Sequence, residues 1–202
     1  MLIPMSNRAS RKQEIVEVAL TIAEDLGVTG VTTVAIARHL GFTEAALYRY
    51  FAGKTTILAT ALQELSERLF TTMLLELVPQ DAKDTSGTVA QLRRHGDRFA
   101  ARRGLLMELL VHASVSHDEP LQQAGEALLE EYSGRMAVFF RQAQELALIN
   151  QDPSPAELSR RWLCQLLGGF VRARLRRETW SPAEHPSFLA FTANLQKAIL
   201  RG

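Results

Sequence analysis

Residues 32–58 read TTVAIARHLGFTEAALYRYFAGKTTIL, and their pattern of apolar, capping and glycine residues determines how the first part of the chain folds. Two short amphipathic segments, 33–40 and 44–50, are separated by a turn at Gly41. Either Thr32 or Thr33 can cap the first segment, and Thr43 can cap the second. Neither helix could be stable alone, because isolated helices shorter than about 12 residues are marginal in water. They must pack against neighbouring helices, which makes the unit a helix-turn-helix. The residues expected to face that small core are Ile36, Ala37, Leu40, Leu47 and Phe51.

The side chains left on the outside of this unit are of the kinds that bind a phosphate backbone. Tyr48, Arg49 and Tyr50 offer two phenols and a guanidinium. Thr33 and Thr43 place hydroxyl and backbone N–H groups at helix starts, where an anion is favoured. Polar groups are therefore expected to cluster at the ends of elements that would face a duplex.

Cations flank the unit on both sides. Lys54 opens the next helix and can neutralise a phosphate, while Arg8, Arg11 and Lys12 form a basic arm just before the first predicted helix, which begins near Ser10. This placement matters because 23 Lys and Arg nearly balance 22 Asp and Glu over the whole chain. Bulk charge therefore predicts no affinity for nucleic acid, and any DNA binding must come from where the charges lie.

The same stretch resembles a known family. The matching residues are Thr32, Thr33, Ile36, Ala37, Leu40, Gly41, Ala46, Leu47, Tyr48, Arg49, Tyr50, Phe51, Lys54 and Leu58. With this ungapped spacing from about Ile15 to Leu65, the chain resembles the TetR family of bacterial transcriptional regulators. The resemblance implies an all-helical homodimer in which helix 44–50 of each subunit lies in the major groove and reads half of a palindrome in double-stranded DNA.

The resemblance also implies roles for single residues. Glu44, Ala45 and Ala46 would approach base edges, and Arg49 could contact either a base or a phosphate. The residues implied to hold phosphates are Thr33, Thr43, Tyr48, Tyr50 and Lys54. Taken one at a time, the two tyrosines could be half-buried core aromatics, and Glu44 could simply stabilise the start of its helix. The joint occurrence of these residues at fixed spacing favours DNA binding, whereas for Glu44 both interpretations stay open.

Helical periodicity continues through the rest of the sequence, without an alternating strand pattern. We predict an all-α protein of about nine helices, in which a three-helix helix-turn-helix DNA-binding domain at residues 1–53, here called the head, precedes a larger helical domain at 54–202 for dimerisation and effector binding. Gly27 should end the first helix. The later helices are expected at about 54–77, 88–115 with a break near 103–104, 120–148, 155–178 and 186–200.

Residues 162–175, WLCQLLGGFVRARL, are apolar on more than one face. Such a helix typically packs both against its own domain and against a partner subunit. The two adjacent glycines should each cost roughly 1 kcal/mol relative to alanine in a helix, and either a close approach of two backbones or a local kink would explain them. The predicted dimer-interface residues are Gly168, Gly169, Phe188, Phe191, Leu195 and Ile199.

A small hydrophobic effector is a further partner that we predict for the larger domain. The residues that could line an apolar cavity between its helices are Met107, Leu110, Tyr132, Met136, Phe139, Phe140, Trp162, Leu166 and Phe170. Such a stripe is more often ordinary core, so each of these residues taken alone is better explained by packing. An effector would act by changing the separation of the two heads of a dimer.

Composition also indicates the cellular compartment of the protein and argues against a bound cofactor. The single cysteine, Cys164, excludes an internal disulfide and suits a reducing cytosol. Its apolar surroundings predict an inert, buried thiol. Because the sequence has neither a membrane-length apolar run nor a signal peptide, we expect a cytoplasmic protein that binds no membrane. The histidines and acids at 112–119 match no metal cage, so neither a metal nor another cofactor is predicted.

These observations predict a transcriptional repressor that leaves its operator when the effector binds. They argue against an enzyme, because the sequence carries no phosphate-cradling glycine loop, paired metal histidines or nucleophile elbow. The alternative is a nucleoid-associated or division-linked DNA-binding protein of the same family that has no small-molecule effector. That alternative stays open because the run at 43–49 is also similar to the one in nucleoid-occlusion members.

Overall fold

A computed structural model describes residues 5–77, 85–98, 101–181 and 186–196 of the chain. Over these residues the chain is helical and contains no strand, which confirms the predicted fold class and the approximate number of helices. The α-helices are α1 (Met5–Leu26), α2 (Thr33–Leu40), α3 (Glu44–Leu47), α4 (Lys54–Glu76), α5 (Thr85–Arg98), α6 (Ala101–Val115), α7 (Glu119–Glu145), α8 (Pro155–Arg176) and α9 (Pro186–Gln196). A 3-10 helix, Val28–Gly30, connects α1 to α2.

The predicted caps set the bounds of the short helices in the head. The Thr32 side chain accepts a hydrogen bond from the backbone N–H of Ala35 at 3.0 Å, and Thr43 caps α3 in the same way. Gly41 ends α2 in the left-handed conformation, with φ 68°, which a residue with a side chain would adopt only with strain. The turn between the two helices is therefore fixed by local chemistry.

The core of the head forms largely as predicted. Ile36, Ala37, Leu47 and Phe51 are buried, whereas Leu40 is only partly covered. Helix α2 packs against both α1 and α3. Helices too short to persist alone are thus stabilised by burial of one apolar face.

Two helix bounds in the head differ from the prediction. The helix expected at 44–50 ends at Leu47, because the N–H groups of Arg49 and Tyr50 bond to carbonyl oxygens three residues earlier and tighten the chain into turns. Helix α1 begins at Met5, well before Ser10, since no glycine or proline interrupts the sequence from there to Gly27. The predicted basic arm before the first helix is therefore wrong, and its three cations lie on α1.

The described residues fall into two compact units. The first contains those of Met1–Glu67 and Leu105–Leu128, so it combines the head with the start of α4, most of α6 and the first part of α7. The second contains those of Arg68–Gly104 and Leu129–Gly202. The functional boundary predicted between residues 53 and 54 stays a prediction.

A single carboxylate links α6 to the chain just after α1. The backbone N–H of Val28 donates a hydrogen bond to Glu108 Oε1 at 2.8 Å, across 80 residues of sequence. Gly27 precedes it with φ 76°, and a Cβ atom placed there would lie 3.2 Å from the same oxygen. Glycine thus supplies both the backbone conformation and the room that the carboxylate needs.

Helix α8 has one buried face and one exposed apolar face. Its buried side includes Trp162, Leu166 and Phe170, and Ser154 caps its start by accepting from the N–H of Glu157. The opposite side exposes a row of small and apolar residues, which are Cys164, Gly168, Val171 and Leu175. The prediction that Cys164 is buried is wrong, because the thiol lies on this outward face, two residues along the helix from the buried Trp162.

Candidate nucleic-acid interface

Three of the predicted DNA-contact residues stand at the first positions of consecutive helices. Thr33 begins α2, Glu44 begins α3 and Lys54 begins α4. The first backbone N–H groups of a helix have no partner within it, and they create a positive end that favours anions. The structure therefore brings three helix starts into one compact unit, as a phosphate-binding surface requires.

Thr33 and Glu44 contact each other across the helix-turn-helix. The hydroxyl of Thr33 donates to Glu44 Oε1 at 2.5 Å, although 11 residues separate the two in sequence. Glu44 is exposed and Thr33 is partly covered. Sequence reasoning assigned each residue its own contact with DNA and missed their contact with each other.

The remaining predicted residues of α3 and its turn lie on the surface. Thr43 Oγ1 accepts from the N–H of Ala46 at 3.2 Å, which leaves the hydroxyl proton of Thr43 available to a phosphate. Tyr48 is 51% exposed, and Arg49 is exposed as well. Ala45 is exposed, while Ala46 and Tyr50 are partly covered. These placements are compatible with the predicted contacts.

Lys54 has an environment that an anion would improve. Partial burial removes water from its ammonium group and so lowers its pKa. A cation at the start of α4 also opposes the helix macrodipole, which costs about 0.3–1 kcal/mol near a helix end. The N–H of the preceding Gly53 is satisfied by Thr56 Oγ1 at 3.2 Å. A phosphate at this helix start would offset both unfavourable effects on Lys54.

The three cations of α1 contact residues in the turns before and after α3. The guanidinium of Arg8 donates to the carbonyl oxygen of Arg49 at 3.2 Å. The guanidinium of Arg11 lies 5.6 Å from the ring centroid of Phe42, and the ammonium of Lys12 lies 5.3 Å from that of Phe51. Cation–π contacts of this kind stabilise a surface by roughly 0.5–1 kcal/mol. Their signal in the sequence was the helical spacing of three cations on one helix.

The predicted effector-pocket residues are all buried. Met107 and Leu110 lie in the first compact unit. The others lie in the second unit with at most 3% of their surface exposed, and they are Tyr132, Met136, Phe139, Phe140, Trp162, Leu166 and Phe170. A cleft of about 610 Å³ in that unit is lined by different residues, among them Glu157, Arg161 and Asn194. The assignment of a pocket to these nine residues stays a prediction.

A buried polar cluster lies among these apolar side chains. Trp162 Nε1–H donates to the hydroxyl of Tyr132 at 2.5 Å, and His95 Nε2 lies 3.1 Å from the same hydroxyl. The rings of His95 and Tyr132 are stacked, with centroids 5.8 Å apart. Burial raises the pKa of Tyr132, so the phenol stays neutral at ordinary pH. Sequence reasoning missed His95, whose polar neighbours on α5 gave no sign of burial.

Removing the hydroxyl in Tyr132→Phe should lower the free energy of unfolding by about 1–3 kcal/mol, because two buried polar atoms each lose a hydrogen bond. Urea unfolding measures the change. Tyr50→Phe is the matched control, since it removes a phenol that makes no hydrogen bond among the described residues, and it should change the stability by less than about 0.5 kcal/mol. Equal effects of the two substitutions would contradict a structural role for the cluster.

The predicted dimer residues divide between two faces. Gly169, Phe191 and Leu195 are buried, and the ring of Phe191 packs against those of Phe140 and Trp162. Gly168 is exposed on the outward face of α8. The side chain of Phe188 and the whole of Ile199 lie outside the described residues. The assignment of these six residues to a dimer interface remains a prediction.

The described part of the chain contains neither a membrane-spanning helix nor a cluster of metal-ligating side chains. None of its helices combines the length and the apolar character needed to cross a bilayer. Within the same ranges, no three His, Cys, Asp or Glu side chains come together as a metal site would need.

Comparisons with known proteins agree with this architecture. The family model for bacterial regulatory proteins of the tetR family matches residues 15–61. The nucleoid occlusion factor SlmA of Marinobacter nauticus is 26% identical over 173 residues, which cover 85% of this chain and 85% of that protein.

Solved structures share the fold. A TetR transcription regulator from Haloarcula marismortui superposes with a TM-score of 0.74 at 16% identity, over 94% of this chain and 98% of that one. The regulator FadR from Bacillus subtilis, in complex with stearoyl-CoA, superposes with a TM-score of 0.71 at 12% identity. The superposition covers 91% of this chain and 99% of that one. The family match in the head and the all-helical fold lead to one conclusion: residues 15–61 are a DNA-binding domain of the TetR type, and the chain around them has the fold of TetR transcription regulators.

Proposed function

We propose that this regulator binds a palindromic operator as a homodimer and represses transcription until a small apolar effector releases it. The observation that supports DNA contact most directly is the set of three helix starts, α2, α3 and α4, within one compact unit. Around them lie two threonine hydroxyls, two phenols and the cations Arg49 and Lys54. Phosphate contacts of these kinds position a protein on a duplex, while the first residues of the recognition helix read base edges.

We propose that a second copy of the chain packs against the outward face of α8. Gly168, Val171 and Leu175 follow helical spacing, and the two larger side chains are 41% and 81% exposed in the single chain. Large exposed apolar residues in a row are typical of an interface. Arg172 and Arg176 flank them and would form its polar rim. Helix α9, which packs against α8, would complete a four-helix contact with its mate.

A small apolar effector would have to enter the core of the second compact unit. The support from this chain is its composition: aromatic and methionine side chains are buried in the same compact unit as one polar cluster, a combination typical of ligand sites. A regulator with this fold, FadR from Bacillus subtilis, forms a complex with stearoyl-CoA, whose acyl chain is apolar. A thermal-shift screen of fatty acids, acyl-CoA thioesters and apolar drugs tests the proposal.

A nucleoid-organising role is the second candidate. It is favoured by the similarity to the nucleoid occlusion factor of Marinobacter nauticus over most of both chains. A genome-wide map of bound sites separates the two functions. A repressor should occupy a few promoters and leave them when the effector is added. An organiser should occupy many scattered sites regardless of any ligand.

Lys54→Ala should weaken binding to all duplexes about equally and lower the slope of log K against log salt by about one unit per bound subunit, because one phosphate contact is lost. Binding titrations between low and moderate salt measure the slope. Arg141→Ala, which removes an exposed cation from α7 in the other compact unit, is the control and should leave the slope unchanged. Equal slopes for Lys54→Ala and the parent protein would remove Lys54 from the interface.

A further inference from the structure

The contact between Thr33 and Glu44 fixes a negative charge at the start of the recognition helix. The Thr33 hydroxyl donates to Glu44 Oε1 at 2.5 Å, a short bond of the charge-assisted kind. This bond restricts the rotamers of an otherwise exposed side chain. A preorganised carboxylate loses less conformational entropy when it meets a partner.

The negative charge of Glu44 is unfavourable on a surface that is proposed to bind phosphates. Glu44 is the only acid among the predicted DNA-contact residues, whose other members are hydroxyl, phenol, cationic and small apolar side chains. Near a duplex its charge is repelled by the phosphates, and helix-end stabilisation offsets only about 0.3–1 kcal/mol. A carboxylate is tolerated in a groove when a base edge donates a hydrogen bond to it.

The chemistry of the major groove narrows the choice of base. Only the cytosine N4 and adenine N6 amino groups donate there. A carboxylate only accepts hydrogen bonds, so the N7 acceptor beside the adenine amino group repels it. Guanine presents two acceptors, and thymine presents a carbonyl and a methyl group. Cytosine is therefore the base that fits Glu44 best.

We propose that Glu44 is a specificity-determining residue that accepts a hydrogen bond from the amino group of a cytosine in each half-site, and that Thr33 is the positioning residue that holds it. The inference rests on the proposed placement of α3 in the major groove. It also changes the role of Thr33. A hydroxyl has one proton, which Thr33 donates to Glu44, so a phosphate at the start of α2 is bound by the backbone N–H of Thr33.

The test is selection from a random pool of duplexes with the full-length protein and two variants at this position. The parent protein should enrich a half-site in which one position prefers cytosine about tenfold over the other bases. In Glu44→Ala the preference at that position should fall to within about twofold, while the other positions keep theirs. Glu44→Gln should shift it towards adenine, because a glutamine amide pairs with both N6 and N7.

Thr33 is tested by a matched pair of substitutions. Thr33→Val keeps the shape but removes the proton donor, so the cytosine preference should fall about threefold or more, in line with the loss of one hydrogen bond. Thr33→Ser keeps the hydroxyl and should restore the preference. A purely structural role of Thr33 would change overall affinity in both variants without changing the base preference at one position.

The outcomes separate failure of this inference from failure of the proposed function. If Glu44→Ala and Glu44→Gln enrich the same half-site as the parent, Glu44 only stabilises the helix start and the inference is overturned. If the parent enriches a half-site that lacks a preferred cytosine, it is overturned as well. If the parent protein retains no duplex at low salt, the proposed DNA contacts themselves fail. Thermal unfolding of each variant identifies a loss of binding that comes from misfolding, and in that case the Glu44→Gln result decides.

Discussion

Replacing both Val171 and Leu175 with aspartate is expected to turn the proposed dimer into monomers and to weaken operator binding by about a hundredfold or more. The two side chains are the larger members of the exposed row on α8. Four carboxylates would be desolvated in the centre of the proposed interface, a cost that apolar contacts cannot offset and that pairing with the arginines of its rim offsets only in part. A monomer also loses the high effective concentration that links its two half-site contacts, which is worth about 10²–10⁴ in affinity. Sedimentation equilibrium and operator titration measure the two effects.

Val138→Asp is the matched control for this experiment. Val138 is 46% exposed, close to the 41% of Val171, but it lies on α7. It should leave the protein dimeric and able to bind its operator. A dimer that survives in Val171→Asp with Leu175→Asp would rule out this face of α8, and monomers in Val138→Asp would move the interface to α7.

Leu47→Ala is expected to lower the free energy of unfolding by about 2–5 kcal/mol, the range for truncating a buried leucine. Leu47 is the only buried residue of α3, a helix of four residues. Since so short a helix has no stability of its own, the loss should free α3 from α2 and reduce operator binding together with stability. Urea unfolding and operator titration of the same preparation test both parts.

Val34→Ala is the control in the head, because Val34 is about half-exposed on α2. It should change stability by no more than about 0.5 kcal/mol. If Leu47→Ala were equally mild, α3 would be held by contacts other than its buried side chain. Full operator affinity in a clearly destabilised Leu47→Ala would show that the position of α3 is not needed for binding.

The parts of the fold that local chemistry determines could be predicted from the sequence. The bounds of α2 followed from a threonine cap at Thr32 and a left-handed glycine at Gly41, both of which act within a few residues. The end of α3 could not be predicted, because the N–H groups of Arg49 and Tyr50 bond three residues back, and such tightened last turns are not specified by local sequence. The exposure of Cys164 was missed because α8 is apolar on two faces, and composition alone does not say which face its own domain covers.

The residues of the candidate site could be predicted from the sequence, but most of the contacts between them could not. Thr33, Thr43 and Lys54 were identified because helix starts and their charges can be read from sequence. The bond between Thr33 and Glu44 joins two helices, so no periodicity reveals it. The burial of His95 depends on its meeting Tyr132 from another helix, 37 residues away. Such encounters are set by tertiary packing.

The bond from the Val28 amide to Glu108 has a consequence for protein engineering. A chimera that transplants only residues 1–53 onto a foreign helical body would carry the amide and leave its carboxylate behind. Because the first compact unit also includes Leu105–Leu128, a graft that keeps the donor's own stretch of α6 and early α7 preserves the anchor of the transplanted segment. Swaps of DNA specificity in this protein are therefore better made by exchanging surface residues of α3 than by exchanging whole domains.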